Sequence, residues 1–315
     1  MQTKVFIDGS EGTTGLRIHE RFENREDIQI LTIDPELRKD AKERKRLINE
    51  SDITFLCLPD AASIEAVSMI ESEHVRIIDP STAHRTRSDW AYGFPELSEK
   101  HRLNIKEGKR ISVPGCHATG FASLVYPLVV GQVISPEYPV SAFSITGYSG
   151  GGKGMIAEYE SDNRSVEYDA PREYALSQQH KHVAEMKQVS GLFREPLFSP
   201  IVADYYSGML VSVPLYTHLL NSAYDAEGLH QYIESYYKKE PFIQVMPFGA
   251  EAVSSNMLSG ISCSGWDGLK IFVTGNKDRI VLHAQFDNLG KGASGAAIQC
   301  LNLMLGCEEH KGLNL

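Results

Sequence analysis

The order of apolar and polar positions divides this chain into two stretches of different character. Up to about residue 115, apolar runs of strand length alternate with segments of helical period. Lys4–Asp8 reads as a strand, followed by a glycine-rich turn and a helical pattern through about Phe22. Gln29–Ile33, Asp52–Leu58 and Val75–Asp79 read as further strands, with a helix over Ala61–Ile70. Asp52–Leu58 is apolar without interruption and closes at Pro59-Asp60, as expected of a strand covered on both faces in a parallel sheet. Arg110–Val113 is the next strand. This βαβ order predicts an α/β fold with a doubly wound parallel sheet.

Beyond it, the apolar run Phe121–Val130 reads as a helix whose N-terminus falls at Cys116. Val140–Thr146 is a strand leading into Gly147–Gly154, where four glycines within five residues predict a loop rather than a regular element. Gln179–Met186 opens a helix expected to run to Val189. Ile201–Leu219 and Phe242–Phe286 alternate and are rich in β-formers, predicting mostly strands, with one amphipathic helix near Glu227–Tyr237. Asp287–Ala297 introduces a last helix through about Leu305.

At 315 residues the chain can hold two domains with full cores. A net charge of -10 argues against non-specific binding to nucleic acid or an anionic membrane. No apolar run approaches the roughly 20 residues of a membrane span, and the first strand begins too early to leave room for a signal peptide. The five cysteines are scattered, without a CxxC pair, which fits a reducing, cytoplasmic setting. Cys57 belongs to an apolar strand; Cys300 and Cys307 could share the buried face of the last helix.

Cys116 has the punctuation of an active-site turn. Pro114-Gly115 stops the strand before it, and a helix N-terminus offers unpaired N–H groups and partial positive charge, which favour a thiolate and can stabilise an oxyanion. The alternative is a small buried residue in a tight turn. Near the start, Gly9, Ser10, Gly12, Thr13, Thr14 and Gly15 form a strand–turn–helix unit of the kind that cradles a dinucleotide pyrophosphate, spaced GxxGxxG rather than GxGxxG. Asp34 at the end of the second strand favours NAD, whereas Arg38 and Lys39 could hold the 2′-phosphate of NADP; pattern leaves this open, and the basic residues from Arg38 to Arg46 also suit an exposed helix face. Ser81 and Arg85 follow a strand at its carboxyl end and could bind an anionic group. Gly150 and Gly151 fall in a loop able to hug a substrate. His182 and Glu185 are three apart, so the carboxylate could orient the imidazole. His180 and His182 lack the further ligands a metal would need.

These segments together resemble one family, the N-acetyl-γ-glutamyl-phosphate reductases of the shorter bacterial type. The resemblance rests on Pro-Gly-Cys116, His180-Lys181-His182 with Glu185, the closing DNLGKGASGAAIQ, and GSEGTTG, DPSTAHR, YGFPEL and GYSGGGK, in order across the chain. It implies a Rossmann-type NADP-binding domain (residues 1–116 and 287–315) with an inserted α+β catalytic and dimerisation domain (117–286), as in aspartate-semialdehyde dehydrogenases. It implies NADPH, a homodimer or homotetramer, and reduction of a small acyl phosphate to an aldehyde in arginine synthesis. The roles implied are Cys116 as nucleophile, His182 as acid/base, and Glu185 orienting it. Ser81, Arg85, Gly150, Gly151 and His180 would face substrate, and Asn288, Lys291 and Gly292 the cofactor. One departure is His117-Ala118, where the family more often has an aromatic residue and proline. The rival readings are a sister reductase for aspartyl or aminoadipyl phosphate and a non-catalytic dinucleotide-binding regulator.

Overall fold

β1 (Thr3–Asp8) points Val5 and Ile7 to one side and Phe6 to the other, and all three are buried. A strand apolar on both faces needs cover on both. The computed structural model, which describes residues 2–221, 224–251 and 255–315, supplies that cover. Helices α1 (Thr13–Phe22), α2 (Ala41–Glu50), α3 (Asp60–Ser68) and α4 (Glu99–Glu107) are interspersed with β2 (Ile28–Leu31), β3 (Ile53–Leu56), β4 (Arg76–Asp79), β5 (Ala91–Tyr92) and β6 (Arg110–Ser112). The six strands form one parallel sheet in the order β2-β1-β3-β4-β6-β5. Val5, Ile7, Phe55, Ile78 and Ile111 pack with Ile18 and Phe22 of α1, Ile105 of α4 and the chain's last helix. Phe6, Leu56 and Ile77 pack with Leu47 and Ile48 of α2 and Ala66 of α3. This is the doubly wound sheet expected.

The chain leaves β1 for β2 on one side and returns to place β3 on the other. Such a switch point opens a crevice at the carboxyl ends of β1 and β3, and the glycine-rich turn lies there. Gly9 has φ +86, and a Cβ on it would fall 2.2 Å from the Cys57 carbonyl oxygen. A Cβ on Gly15 would meet the Gly9 oxygen at 2.5 Å, whereas one on Gly12 would touch nothing nearer than 3.4 Å. The basic run is not wholly an exposed helix face. Arg44 is buried and paired with Asp8 at 3.0 Å, because that carboxylate, itself buried at the end of β1, requires a counter-charge.

The second compact unit runs from Cys116 to Gly292 and includes Asn314–Leu315, while Ala293–Leu313 belongs with the first. It contains α5 (Cys116–Val130), β7 (Ser141–Gly147), α6 (Gly152–Tyr159), β8 (Arg172–Glu173), α7 (Val183–Ser190), β9 (Leu197–Ala203), β10 (Met209–Tyr216), α8 (Ala226–Tyr237), β11 (Ile243–Val245), β12 (Leu269–Gly275) and β13 (Arg279–Phe286); α9 (Gly295–Leu305) then returns to the first unit. Its mixed sheet has the order β11-β12-β13-β10-β7-β9-β8. Helix α5 packs on β10 and β13, and α8 on β11 and β12. Pro127 inside α5 cannot donate to the Ser123 carbonyl, and the Tyr237 hydroxyl donates to that oxygen instead, at 2.7 Å.

Several expectations are corrected. Gly147–Gly154 is not all loop: a 3-10 turn over Tyr148–Gly151 leads into α6, because Met155 to Tyr159 are good helix formers anchored by buried Tyr159. Helix α7 starts only at Val183, with His182 as its N-cap. Between β11 and β12 the described residues are mostly turns rather than strands; Ala252, Val253 and Ser254 of the expected strand region, and Ser222 and Ala223 ahead of α8, lie outside the described residues. Cys300 is buried on α9, but Cys307 follows the left-handed cap Gly306 and lies 3.9 Å from Asp27. Among the described residues no helix is long and apolar enough to cross a membrane.

The two glycines should separate in stability. Gly9→Ala is expected to lower the unfolding free energy by about 1–3 kcal/mol from its backbone conformation alone, and further by the clash with Cys57. Gly12→Ala should cost less, about 0.5–1 kcal/mol for an alanine in place of a glycine N-cap, with no clash added.

Candidate active site

Cys116 is the first residue of the fifteen-residue helix α5 and is partly accessible, whereas His117 to Val125 behind it are all buried. Its sulfur therefore sits at the end of a helix that the core holds still. The backbone N–H groups of that first turn have no carbonyl four residues back within the helix. Gly292 lies against it: a Cβ there would come 2.9 Å from Cys116 Cβ and 3.2 Å from the Asp287 carbonyl oxygen. The absence of a side chain at 292 makes room for the cysteine.

Around the next residue the second unit collects four more rings. The His117 ring centroid is 5.3 Å from His180, 5.5 Å from His182 and 5.2 Å from Phe198, and His180 and His182 are 4.7 Å apart. His117 Nδ1 lies 2.7 Å from the Ser144 hydroxyl on β7, and Nε2 lies 2.7 Å from the Tyr174 hydroxyl. Burial, with His180 and Lys181 nearby, pushes the His117 pKa down to about 3. The imidazole next to Cys116 is thus a neutral, hydrogen-bonded ring. Burial and the neighbouring Cys116 raise the Tyr174 phenol above its ordinary value.

His180 Nδ1 accepts from the backbone N–H of His182 at 3.1 Å, which leaves Nε2 to carry the proton of a neutral ring. His182 is 5% exposed at the N-cap of α7 and Glu185 is 1% exposed in its first turn, where the helix dipole favours a carboxylate. The structure therefore brings Cys116, His180, His182 and Gly292 into the unit that holds His117, Ser144 and Tyr174. Of these, spacing gave no sign of Ser144 or Tyr174, and His117 stood out only as a departure from the family pattern.

Other expected site residues are committed to the scaffold. Asn288 accepts from the Gly208 N–H at 2.8 Å and donates to Ser149 at 3.0 Å, tying the Gly150–Gly151 turn to the loop before β10. Gly150 is exposed beside it, and a Cβ on Gly151 would strike Met155 at 2.5 Å. Lys291 is 1% exposed, its ammonium 5.1 Å from the centre of the Phe242 ring.

In the first unit, Ser81 donates to Asp79 at 2.8 Å and accepts from the Ala83 N–H. The same buried carboxylate lies 2.5 Å from His84, whose ring stacks on Trp90 at 4.0 Å. Arg85 donates to the carbonyls of Val113 at 2.9 Å and Pro80 at 2.7 Å, which fixes its guanidinium at the carboxyl ends of β4 and β6. Helix α1 begins at Gly12 without a side-chain cap, behind Gly9 and Ser10 and ahead of Thr13, Thr14 and Gly15. Arg38 reaches the same turn and pairs with Glu11. Asp34 caps its own turn by accepting from the Glu36 N–H at 2.9 Å.

Residues 3–105 match the profile of the semialdehyde dehydrogenase, NAD binding domain, and residues 116–288 that of the semialdehyde dehydrogenase, dimerisation domain. The chain is 44% identical over 318 residues to N-acetyl-gamma-glutamyl-phosphate reductase 2 of Nostoc sp., covering 98% of this chain and 99% of that one. It is 42% identical over 304 residues to N-acetyl-gamma-glutamyl-phosphate reductase of Burkholderia orbicola, covering 96% and 97%. Among solved structures, aspartate semialdehyde dehydrogenase II of Vibrio cholerae, complexed with ASA, aligns with a TM-score of 0.71 at 15% identity over 97% and 99% of the two chains. Aspartate semialdehyde dehydrogenase of Candida albicans, with NADP, gives 0.64 at 14% identity over 97% and 99%. These two likenesses are of fold.

The neutral histidines impose a pH dependence. The pKa of His117 is about 3, and that of His283, lowered by burial, is about 4, against roughly 6.5 in an unfolded chain. Between these values the unfolded chain binds more protons, so stability falls as pH falls. The contribution is complete above about pH 6.5 and drains away towards pH 3–4. The thermal midpoint should decline from pH 7 to pH 4, and the His117 ring resonances should hold their neutral positions from pH 8 to pH 5. Titration of that ring near pH 6.5 would contradict the buried network.

Proposed function

From the premise that this chain belongs to the N-acetyl-γ-glutamyl-phosphate reductases, we propose how its residues divide the work. It is an oxidoreductase that reduces N-acetyl-γ-glutamyl phosphate to N-acetylglutamate 5-semialdehyde with NADPH in arginine biosynthesis. One observation supports Cys116 as nucleophile: it is the partly accessible first residue of an otherwise buried helix. Its thiolate attacks the γ-carbonyl carbon, the bond from that carbon to the phosphate oxygen breaks, and a thioester is left on sulfur. His182 takes the thiol proton and delivers it to the departing phosphate. The N–H groups opening α5 stabilise the oxygen as it gains charge. Aldehyde leaves when the carbon–sulfur bond breaks and its electrons return to Cys116.

When bound, NADPH would supply the hydride that takes the acyl carbon to the aldehyde level. The residues of the glycine turn fit it, since the space above Gly12 is what a side chain would fill and what a pyrophosphate needs. Gly9, Ser10, Gly12, Thr13, Thr14 and Gly15 would hold the pyrophosphate, and Arg38, turning from Glu11, the 2′-phosphate. Arg85 binds the substrate's phosphate, with Ser81 shaping its turn through Asp79. Glu185 sets the orientation of His182, while His180, Gly150 and Gly151 line the substrate site. Asn288, Lys291 and Gly292 would face the cofactor. The enzyme acts in the cytoplasm; its five cysteines form no disulfide among the described residues.

The chain carries a dimerisation domain, and the open face of the second sheet is our candidate for the contact. A cross-strand row on that face reads Phe272, His283, Ser212, Phe143 and Ser199. Phe143 is 52% exposed, and Ile145, Leu210 and Ile201 form the next row. Two copies stacked through this apolar face make a homodimer. Light scattering should then report twice 35.0 kDa for the wild type and 35.0 kDa for Phe143→Arg; an unchanged mass in the variant would move the contact elsewhere.

The reaction is most simply tested in reverse. N-acetylglutamate semialdehyde, NADP and inorganic phosphate should yield NADPH absorbance, with no turnover when phosphate is omitted or in Cys116→Ala. Turnover with aspartate semialdehyde instead would keep the chemistry and change the substrate.

A further inference from the structure

Three side chains of the second unit form a line that these roles leave unused. Ser144 is wholly buried on β7, with its Oγ 2.7 Å from His117 Nδ1. Nε2 of the same ring lies 2.7 Å from the hydroxyl of Tyr174. Ser144 and His117 are buried and Tyr174 is half-buried. The line therefore runs from the core strand β7 through the residue that follows Cys116 to the Tyr174 hydroxyl.

The protons along it are determined by counting. A neutral imidazole has one N–H and one lone pair. If the proton sat on Nδ1, it would donate to Ser144, and the buried serine's own proton would be stranded, since His117 is the one side-chain partner of its hydroxyl among the described residues. The other arrangement satisfies every group: Ser144 donates to Nδ1, Nε2–H donates to the Tyr174 oxygen, and Tyr174 keeps its proton for an acceptor outside the line. This needs a neutral ring, and burial holds the His117 pKa at about 3. It also needs a protonated phenol, and the Tyr174 pKa lies above its ordinary value.

We propose that Ser144 and His117 are positioning residues that aim the Tyr174 hydroxyl at the acyl oxygen of the group carried on Cys116, so that Tyr174 donates a hydrogen bond to that oxygen while the carbon–sulfur bond forms and breaks. The proposal rests on the thioester chemistry of the preceding subsection and adds a side-chain donor to the backbone N–H groups there. It also accounts for His117: a residue at this position with two ring nitrogens can join a core hydroxyl to the phenol, which an apolar ring cannot do.

The test is a double-mutant cycle in the phosphate-dependent assay, with NADPH affinity measured on every variant. Tyr174→Phe should lose about 10²–10³-fold in kcat, the effect of removing one oxyanion donor, with KM little changed. His117→Phe should lose a similar factor, and the double variant should be no slower than Tyr174→Phe alone. If His117→Phe does not fold, Ser144→Ala takes its place, slowing the tyrosine enzyme and leaving the Tyr174→Phe enzyme unaffected. Losses that multiply, or full kcat in Tyr174→Phe, would overturn the proposal. The rate of iodoacetamide alkylation of Cys116 should be the same in the wild type and in Tyr174→Phe; a large change would put the tyrosine on the sulfur and overturn it too. A wild-type chain without turnover would instead sink the thioester reading itself.

Discussion

The second unit depends on how closely α5 approaches its sheet. A Cβ on Gly120 would lie 2.5 Å from Val211 and 2.8 Å from Phe286, so the helix can seat against β10 and β13 only because that position is bare. Eleven residues of α5 are buried, which makes the helix core rather than surface. Its first turn inherits that rigidity. A side chain on a loop would have to be held by its own contacts, whereas Cys116 is held by the packing of everything behind it. The same tightness recurs at Gly292, where the space a side chain would occupy is given to the cysteine.

Close packing carries a polar consequence. Residues next to the nucleophile cannot reach water, so every polar group among them needs a protein partner. His117 shows how this is met: both ring nitrogens are engaged, and the charge is refused rather than neutralised. Asp79 in the first unit is the opposite case, a buried carboxylate surrounded by donors from Ser81 and His84. Asp8 is a third, balanced by Arg44. Each is a polar residue at a core position; Asp79 finds its donors two and five residues on, whereas for His117 and Asp8 the fold supplies the complement from a distant segment.

That distance explains what could and could not be read beforehand. Five of the six parallel strands, the entry of α5 at Cys116 and the glycine turn were legible because period and punctuation are local; the two-residue β5 is too short to carry a period. Helix α6 was not, since glycines that read as loop residues occupy only its first turn, and the buried Tyr159 that anchors it carries no local mark. Arg44 read as surface because nothing near it in sequence announces Asp8. Tyr174 and Ser144 were silent for the same reason: thirty residues separate them, and their connection passes through a histidine on another element. The roles of Cys116, His182 and Glu185 came from resemblance, while the way their surroundings are built is visible only in the folded chain.

The glycines of the first turn show how a fold constraint can be told from a ligand constraint. Gly9 and Gly15 are dictated by the protein: a Cβ would strike the Cys57 carbonyl in one case and the backbone of Gly9 and Ser10 in the other. Gly12 is not, for at 3.4 Å and 3.7 Å its Cβ would make ordinary contacts. At the N-cap of α1 it brings no side chain to accept from the first N–H groups, which leaves them needing an acceptor from elsewhere. A pyrophosphate satisfies that requirement in charge and in size. The protein's own backbone thus accounts for Gly9 and Gly15, while Gly12 answers to the helix end that it caps.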